Sequence, residues 1–97
     1  MPIYNTDVAA IFEQVAYLLA IEGANQFRVR AYRNAAQTIE TLSRPVADLV
    51  AEGLDLTELE GIGDDLAGKI VEIVETGGLT QLEEIKKRTP PGLIDML

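Results

Sequence analysis

The stretch "LEGIGDDLAGKI", residues 59–70, decides how this chain reads. Gly61, Ile62 and Gly63 reverse the chain, and hydrophobic residues flank the reversal on both sides. After it, Leu66, Ile70, Ile73 and Val74 recur at helical spacing and mark the inward side of a helix. A helix N-terminus leaves its first backbone N–H groups unpaired, and the helix dipole adds partial positive charge there. An anion such as a phosphate fills that kind of site. Glycines at 61 and 63 are expected to take backbone angles forbidden to other residues and to remove side chains that would block a phosphate. Taken alone, Gly-x-Gly is more often a plain tight turn between helices. Asp64 and Asp65, at the mouth of the grip, have the wrong charge for a phosphate.

Working outward, "NTDVAAIFEQVAYLLAIEG" carries Val8, Ile11, Phe12, Val15, Leu18 and Leu19 on one stripe and predicts a helix over about 6–22, capped by Asn5 or Thr6 and closed by Gly23. "NQFRVRAYRNAAQTIETL" predicts a second helix with Asn25 as N-cap. Its inner stripe is expected to be Phe27, Ala31, Tyr32, Ala35, Ala36, Ile39 and Leu42, with Arg30, Arg33, Asn34 and Gln37 on the opposite side and Arg28 on the Tyr32 side. "SRPVADLVAEG" predicts a short helix with Ser43 as cap and Pro45 in its first turn. "DLTELE" makes about one turn, and Gly77 and Gly78 stop the helix that follows the reversal. "TQLEEIKKR" predicts a helix capped by Thr80 with Leu82 and Ile85 buried, and "TPPGLIDML" a turn and a final short helix. No segment alternates as a strand does. The expected fold is all-α, a compact bundle of five to six short helices in a single domain over 1–97, with one helix-hairpin-helix at about 55–76.

Composition narrows the function classes. The 97 residues contain no cysteine and no histidine, so disulfides, cysteine zinc sites and histidine general bases are excluded. No metal site and no cofactor is expected. No apolar run reaches the roughly 18 residues of a membrane span, and "MPIYNTDVAA" lacks the pattern of a signal peptide, so a cytoplasmic protein without membrane contact is expected. The net charge of −8 disfavours nucleic acid for the molecule as a whole. Screening over about 8 Å at physiological salt makes local charge matter more than the total. From Gly23 to Ile39 the only charged residues are Arg28, Arg30 and Arg33. Lys86, Lys87 and Arg88 form a second basic cluster, near a helix end where cations also serve as a C-terminal cap.

The pattern "FRVRAYR-AA", a spacer, "L-GIG---A-KI-EI-ETG-L--LE" and "PPGL" resembles the N-terminal domain of family X DNA polymerases, closest to the bacterial and archaeal polymerase X group and more distantly to the lyase domain of DNA polymerase beta. The resemblance runs from about residue 8 to the C-terminus. It implies a helical domain that holds DNA by one helix-hairpin-helix, at gaps or 5′-phosphate ends, and in some members removes a 5′-deoxyribose phosphate. No polymerase palm, with its carboxylates for two metal ions, is read in these 97 residues, so polymerisation is not expected of them.

The resemblance places Lys69 on the lysine that forms a Schiff base with the sugar aldehyde. From the residues alone, Lys69 lies at the edge of the inner stripe and is more often a lysine whose stem covers the core while its head stays in water than a nucleophile. Tyr32 aligns with a tyrosine that would orient the sugar or a phosphate, or take a proton. Its other reading is a core tyrosine. Arg28 falls where the beta enzyme contacts the 5′-phosphate, and an arginine does that work bidentately. Arg28, Arg30, Arg33, Gly61, Ile62, Gly63 and Asp64 are the expected DNA-binding residues.

Three departures from the family stand out. Asp64 and Asp65 replace a Thr-Lys pair, Glu60 replaces the usual proline, and seven acidic residues with no basic one lie between Pro45 and Asp65. The aspartates have three readings. They stabilise the helix dipole by about 0.3–1 kcal/mol each and occupy the anion site themselves. Or they recruit a divalent cation that bridges to phosphate, although two adjacent carboxylates make a poor site. Or the hairpin has lost DNA and keeps a packing role. The leading function is a DNA-backbone-binding module without sequence preference, with lyase activity at Lys69 secondary to it. The alternative is an acidic helical module for a basic protein partner that has lost DNA binding.

Overall fold

The computed structural model describes residues 4–88. Five α-helices and one 3-10 turn follow in order: α1 (Asn5–Ile21), α2 (Gln26–Glu40), α3 (Val46–Ala51), the turn Leu56–Glu58, α4 (Asp64–Thr76) and α5 (Thr80–Arg88). The all-α expectation holds, and the described residues contain no strand. The final short helix expected in "TPPGLIDML" lies outside the described residues.

Helix α1 is the spine. Val8, Phe12, Val15 and Leu18 are fully buried at the spacing that the sequence shows, and α1 packs chiefly on α2 and also on α5 and α4. Tyr4, rather than Asn5 or Thr6, is its N-cap, and the Tyr4 N–H donates to Asp7 Oδ2 at 2.9 Å. Asn5 is used elsewhere. Its Nδ2 donates to Arg44 O at 3.0 Å, and its Oδ1 accepts from Val46 N at 2.7 Å. Asn5 thus caps α3 from 41 residues away. Pro45, not Ser43, is the N-cap residue of α3 and lies just before its first turn, with no side-chain acceptor of its own, so the partner has to come from another helix.

Helix α5 shows the same device. Thr80 stands inside the helix and does not cap it. The Glu72 carboxylate of α4 accepts from both Thr80 N and Thr80 Oγ1 at 2.7 Å. Those bonds hold Glu72 below its ordinary carboxylate range, the Thr80 hydroxyl first and its N–H second. Leu82 and Ile85 are buried as expected.

In α2 the cap is as read, Asn25 Oδ1 accepting from Phe27 N at 2.7 Å. Val29, Tyr32, Ala35, Ala36 and Ile39 make the buried seam. Phe27 corrects the expected stripe: it is 78% exposed. At helical periodicity it falls with Arg30 and Asn34 on the outer side, half a turn from the Tyr32–Ile39 seam. Tyr32 meets Phe12 edge-on, centroids 5.8 Å apart at 68°, and its hydroxyl donates to Gln81 Oε1 at 3.0 Å. One side chain therefore ties α2 to both α1 and α5.

Candidate nucleic-acid interface

The hairpin is built from one well-anchored turn. Asp55 starts it: its Oδ1 accepts from Thr57 Oγ1 at 2.6 Å and Thr57 N at 3.0 Å, which pulls the carboxyl below its ordinary range. The first limb is the single 3-10 turn and not a second full helix. Ile62 N donates to Leu59 O at 3.1 Å, and the Ile62 side chain is 4% exposed, so the reversal is pinned into the core. From α2, Thr38 Oγ1 donates to Glu60 O at 2.8 Å and fixes the hairpin on that helix.

The two glycines differ. Gly61 has φ +77, the left-handed region where glycine is favoured. Gly63 has φ −91 and ψ −176, extended backbone open to any residue, which corrects the expectation of a forbidden conformation there. A Cβ on Gly63 would meet nothing within 4 Å, so its missing side chain only leaves the mouth of α4 open.

The first intrahelical bond of α4 runs from Ala67 N to Gly63 O at 2.9 Å. The N–H groups before it have no intrahelical acceptor. The helix has no side-chain cap. Asp64 and Asp65 stand in the first turn, as the dipole reading requires, yet neither carboxylate turns back to accept from those N–H groups. Asp65 instead reaches along the helix to Lys69, with Nζ to Oδ1 at 2.6 Å. The anion position is thus not filled by the aspartates. Among the described residues no group of three or more acidic side chains could hold a metal ion.

Lys69 has a half-buried side chain, 17% exposed, and Asp65 is 79% exposed. The stem covers the core edge and the head meets a carboxylate, so the snorkelling geometry and a partly sheltered amine occur together. Tyr32 is 2% exposed with its hydroxyl on Gln81, and Asp65 is the acidic group in contact with the Lys69 amine.

Arg28, Arg30 and Arg33 are exposed and make no salt bridge among the described residues. A shallow groove lined by Gly23, Gln26, Val29, Arg30, Arg33 and Asn34 meets, at Asn34, a second one lined by Gln37, Thr38, Glu60 and Gly61. One polar track therefore runs along α2 from the arginines to the hairpin glycine. Arg30 and Arg33 join it, and Arg28 lies outside its lining. Thr38 had no functional reading in the sequence, and Asn34 and Gln37 were placed outward only. Their i+4, i+7 and i+8 spacing from Arg30, which sets them on one side of the helix, is the available signal. In the second basic cluster, Lys86 lies 4.0 Å from Glu83 and Lys87 is exposed.

A glycine reversal that opens onto an uncapped helix N-terminus and is seated on a neighbouring helix defines a helix-hairpin-helix module. Residues 3–79 match the family described as a helix-hairpin-helix domain, and the chain belongs to that family. It is 30% identical over 94 residues to the DNA polymerase/3′-5′ exonuclease PolX of Bacillus subtilis (strain 168). The match covers 97% of this chain and 16% of that protein, so the chain corresponds to a small part of its relative. The resemblance to family X polymerases, read from about residue 8 to the C-terminus, is borne out. No helix among the described residues is long and apolar enough to cross a membrane.

Proposed function

We propose that this chain is a DNA-backbone-binding module of the polymerase X type, without sequence preference. The observation that carries the reading is the track from Gly61, two residues before the uncapped start of α4 at Gly63, past Asn34 to Arg30 and Arg33. A strand would set one phosphate at the Gly63–Asp64 end and further phosphates along the arginines. Phe27, exposed on the same side of α2, offers a ring on which an unpaired base stacks. That combination favours DNA with a single-stranded portion, such as a gap with a 5′-phosphate. Glu60, Asp64 and Asp65 weaken the grip and the basic contacts are few, so moderate affinity with a shallow fall in salt follows.

A secondary activity rests on Lys69. Its amine would add to the C1′ aldehyde of an opened deoxyribose phosphate, and loss of water would give the Schiff base. β-Elimination would then transfer the C2′ proton to water or Asp65, break the C3′–O bond and release the 5′-phosphorylated strand, and hydrolysis of the remaining imine would free the sugar and return the Lys69 amine. Asp65, hydrogen-bonded to Nζ at 2.6 Å, is the nearest carboxylate to receive the protons that the amine sheds. Tyr32 would act only as a support, through its packing under α2. The acidic-module alternative draws its support from the seven acidic residues between Pro45 and Asp65.

Fluorescence anisotropy of gapped DNA carrying a 5′-phosphate, titrated with the protein at low and physiological salt, tests the binding. The two arginines on the track, Arg30 and Arg33, predict a log–log salt slope of about −1.4 to −1.8. No binding at low salt refutes the DNA reading and favours the protein partner. Borohydride trapping on an incised abasic substrate tests the chemistry: the adduct should vanish in Lys69→Ala and persist in Lys87→Ala.

A further inference from the structure

A second groove shares no residue with the α2 track. It lies between the segment after α3 and the outer side of α4. Val50, Leu54, Leu56, Ala67 and Val71 give it an apolar floor, and Asp55 and Glu75 stand on its rim. Leu54 is 49% exposed, one of few large apolar side chains left open to solvent. Gly68 also lines it, in the interior of α4, where glycine is the least favoured residue after proline. A Cβ there would meet nothing within 4 Å, so no packing inside the chain calls for glycine. The missing side chain leaves the groove open at this point.

The charge around the groove states what that occupant must be. Asp55 and Glu75 are the two charged residues of its lining, both are acidic, and no basic side chain lines it. An acidic or neutral helix would lack the attraction that this field offers, and nucleic acid would be repelled by it. We infer that the α3–α4 groove docks an amphipathic helix of a partner protein whose apolar side fits over Leu54 and Gly68 and whose flanking lysines or arginines meet Asp55 and Glu75. The module would then present two separate faces, a basic one on α2 and this acid-rimmed one. The inference does not depend on the DNA reading.

The test uses the isotopically labelled 97-residue chain and a synthetic leucine–lysine peptide patterned as an amphipathic helix, with a scrambled peptide of equal composition beside it. Amide shifts should cluster at Gly53, Leu54, Gly68 and Val71 and spare Arg30 and Arg33. The scrambled peptide should bind at least tenfold more weakly. Leu54→Asp separates the two explanations by sign: it adds negative charge, so bulk attraction predicts tighter binding, whereas docking in the groove predicts at least tenfold weaker binding. Gly68→Gln changes no charge, favours the helix, fills the groove and should weaken binding by a similar factor. Absence of binding, equal binding of the scrambled peptide, tighter binding by Leu54→Asp, or shifts centred on α2 would each overturn the inference.

Discussion

The aspartates at the hairpin mouth give the sharpest prediction. Replacing Asp64 by Thr and Asp65 by Lys removes two negative charges beside the open N-terminus of α4 and adds one positive charge. It also releases Lys69 from the 2.6 Å contact with Asp65. A phosphate at that end would lie about 7 Å from these charges, where each is worth about 0.6 kcal/mol in water. Three such changes amount to about 1.8 kcal/mol, or about 20-fold in affinity at low salt. With a screening length of about 8 Å the gain falls to about 0.7 kcal/mol, roughly threefold, at physiological salt. Anisotropy with gapped DNA at both salt concentrations measures it. The control is Glu13→Lys with Glu84→Gln, which adds the same charge at exposed positions on α1 and α5. If the control tightens binding as much as the hairpin variant, the effect is bulk charge. If neither does, the hairpin is not the DNA surface, and the reasoning from the open helix N-terminus fails.

Three further outcomes follow from the contacts. Phe27→Ala should leave stability within about 0.5 kcal/mol, since the ring packs on nothing inside, and should weaken binding to gapped DNA by about 1–3 kcal/mol if a base stacks on it; urea melts and anisotropy read the two separately. Asn5→Ala leaves α3 without its cap and should cost about 1 kcal/mol in urea denaturation, whereas Ser43→Ala should cost almost nothing. Glu72 is held below its ordinary value of 4.5, so its contribution is present in full above that pH and is lost as pH falls through the lower folded-state value. Glu72→Gln should therefore destabilise the protein at neutral pH and flatten the loss of stability on acidification, measured by thermal melts from pH 7 to pH 3.

The sequence by itself determined the helices and most of their buried sides. Apolar residues at helical spacing in α1 and α4 could face only one way, and Gly61, Gly77 and Asn25 act through local backbone chemistry that needs no distant partner. The hairpin and its likeness to polymerase X were legible for the same reason, since a tight turn writes its requirement into adjacent residues. What tertiary structure decided are the contacts between residues far apart in the chain. Local rules proposed Ser43 and Thr80 as caps, but Asn5 and Glu72 reach those helix ends from other helices. Hydrophobicity alone points Phe27 inward, although its angular position on α2 sets it outward, where it is 78% exposed. A carboxylate in a first helical turn is free either to turn back to the N–H groups or to run forward to a lysine one turn on. The half-buried position of Lys69 against the core made Asp65 run forward, and that leaves the N-terminus of α4 open.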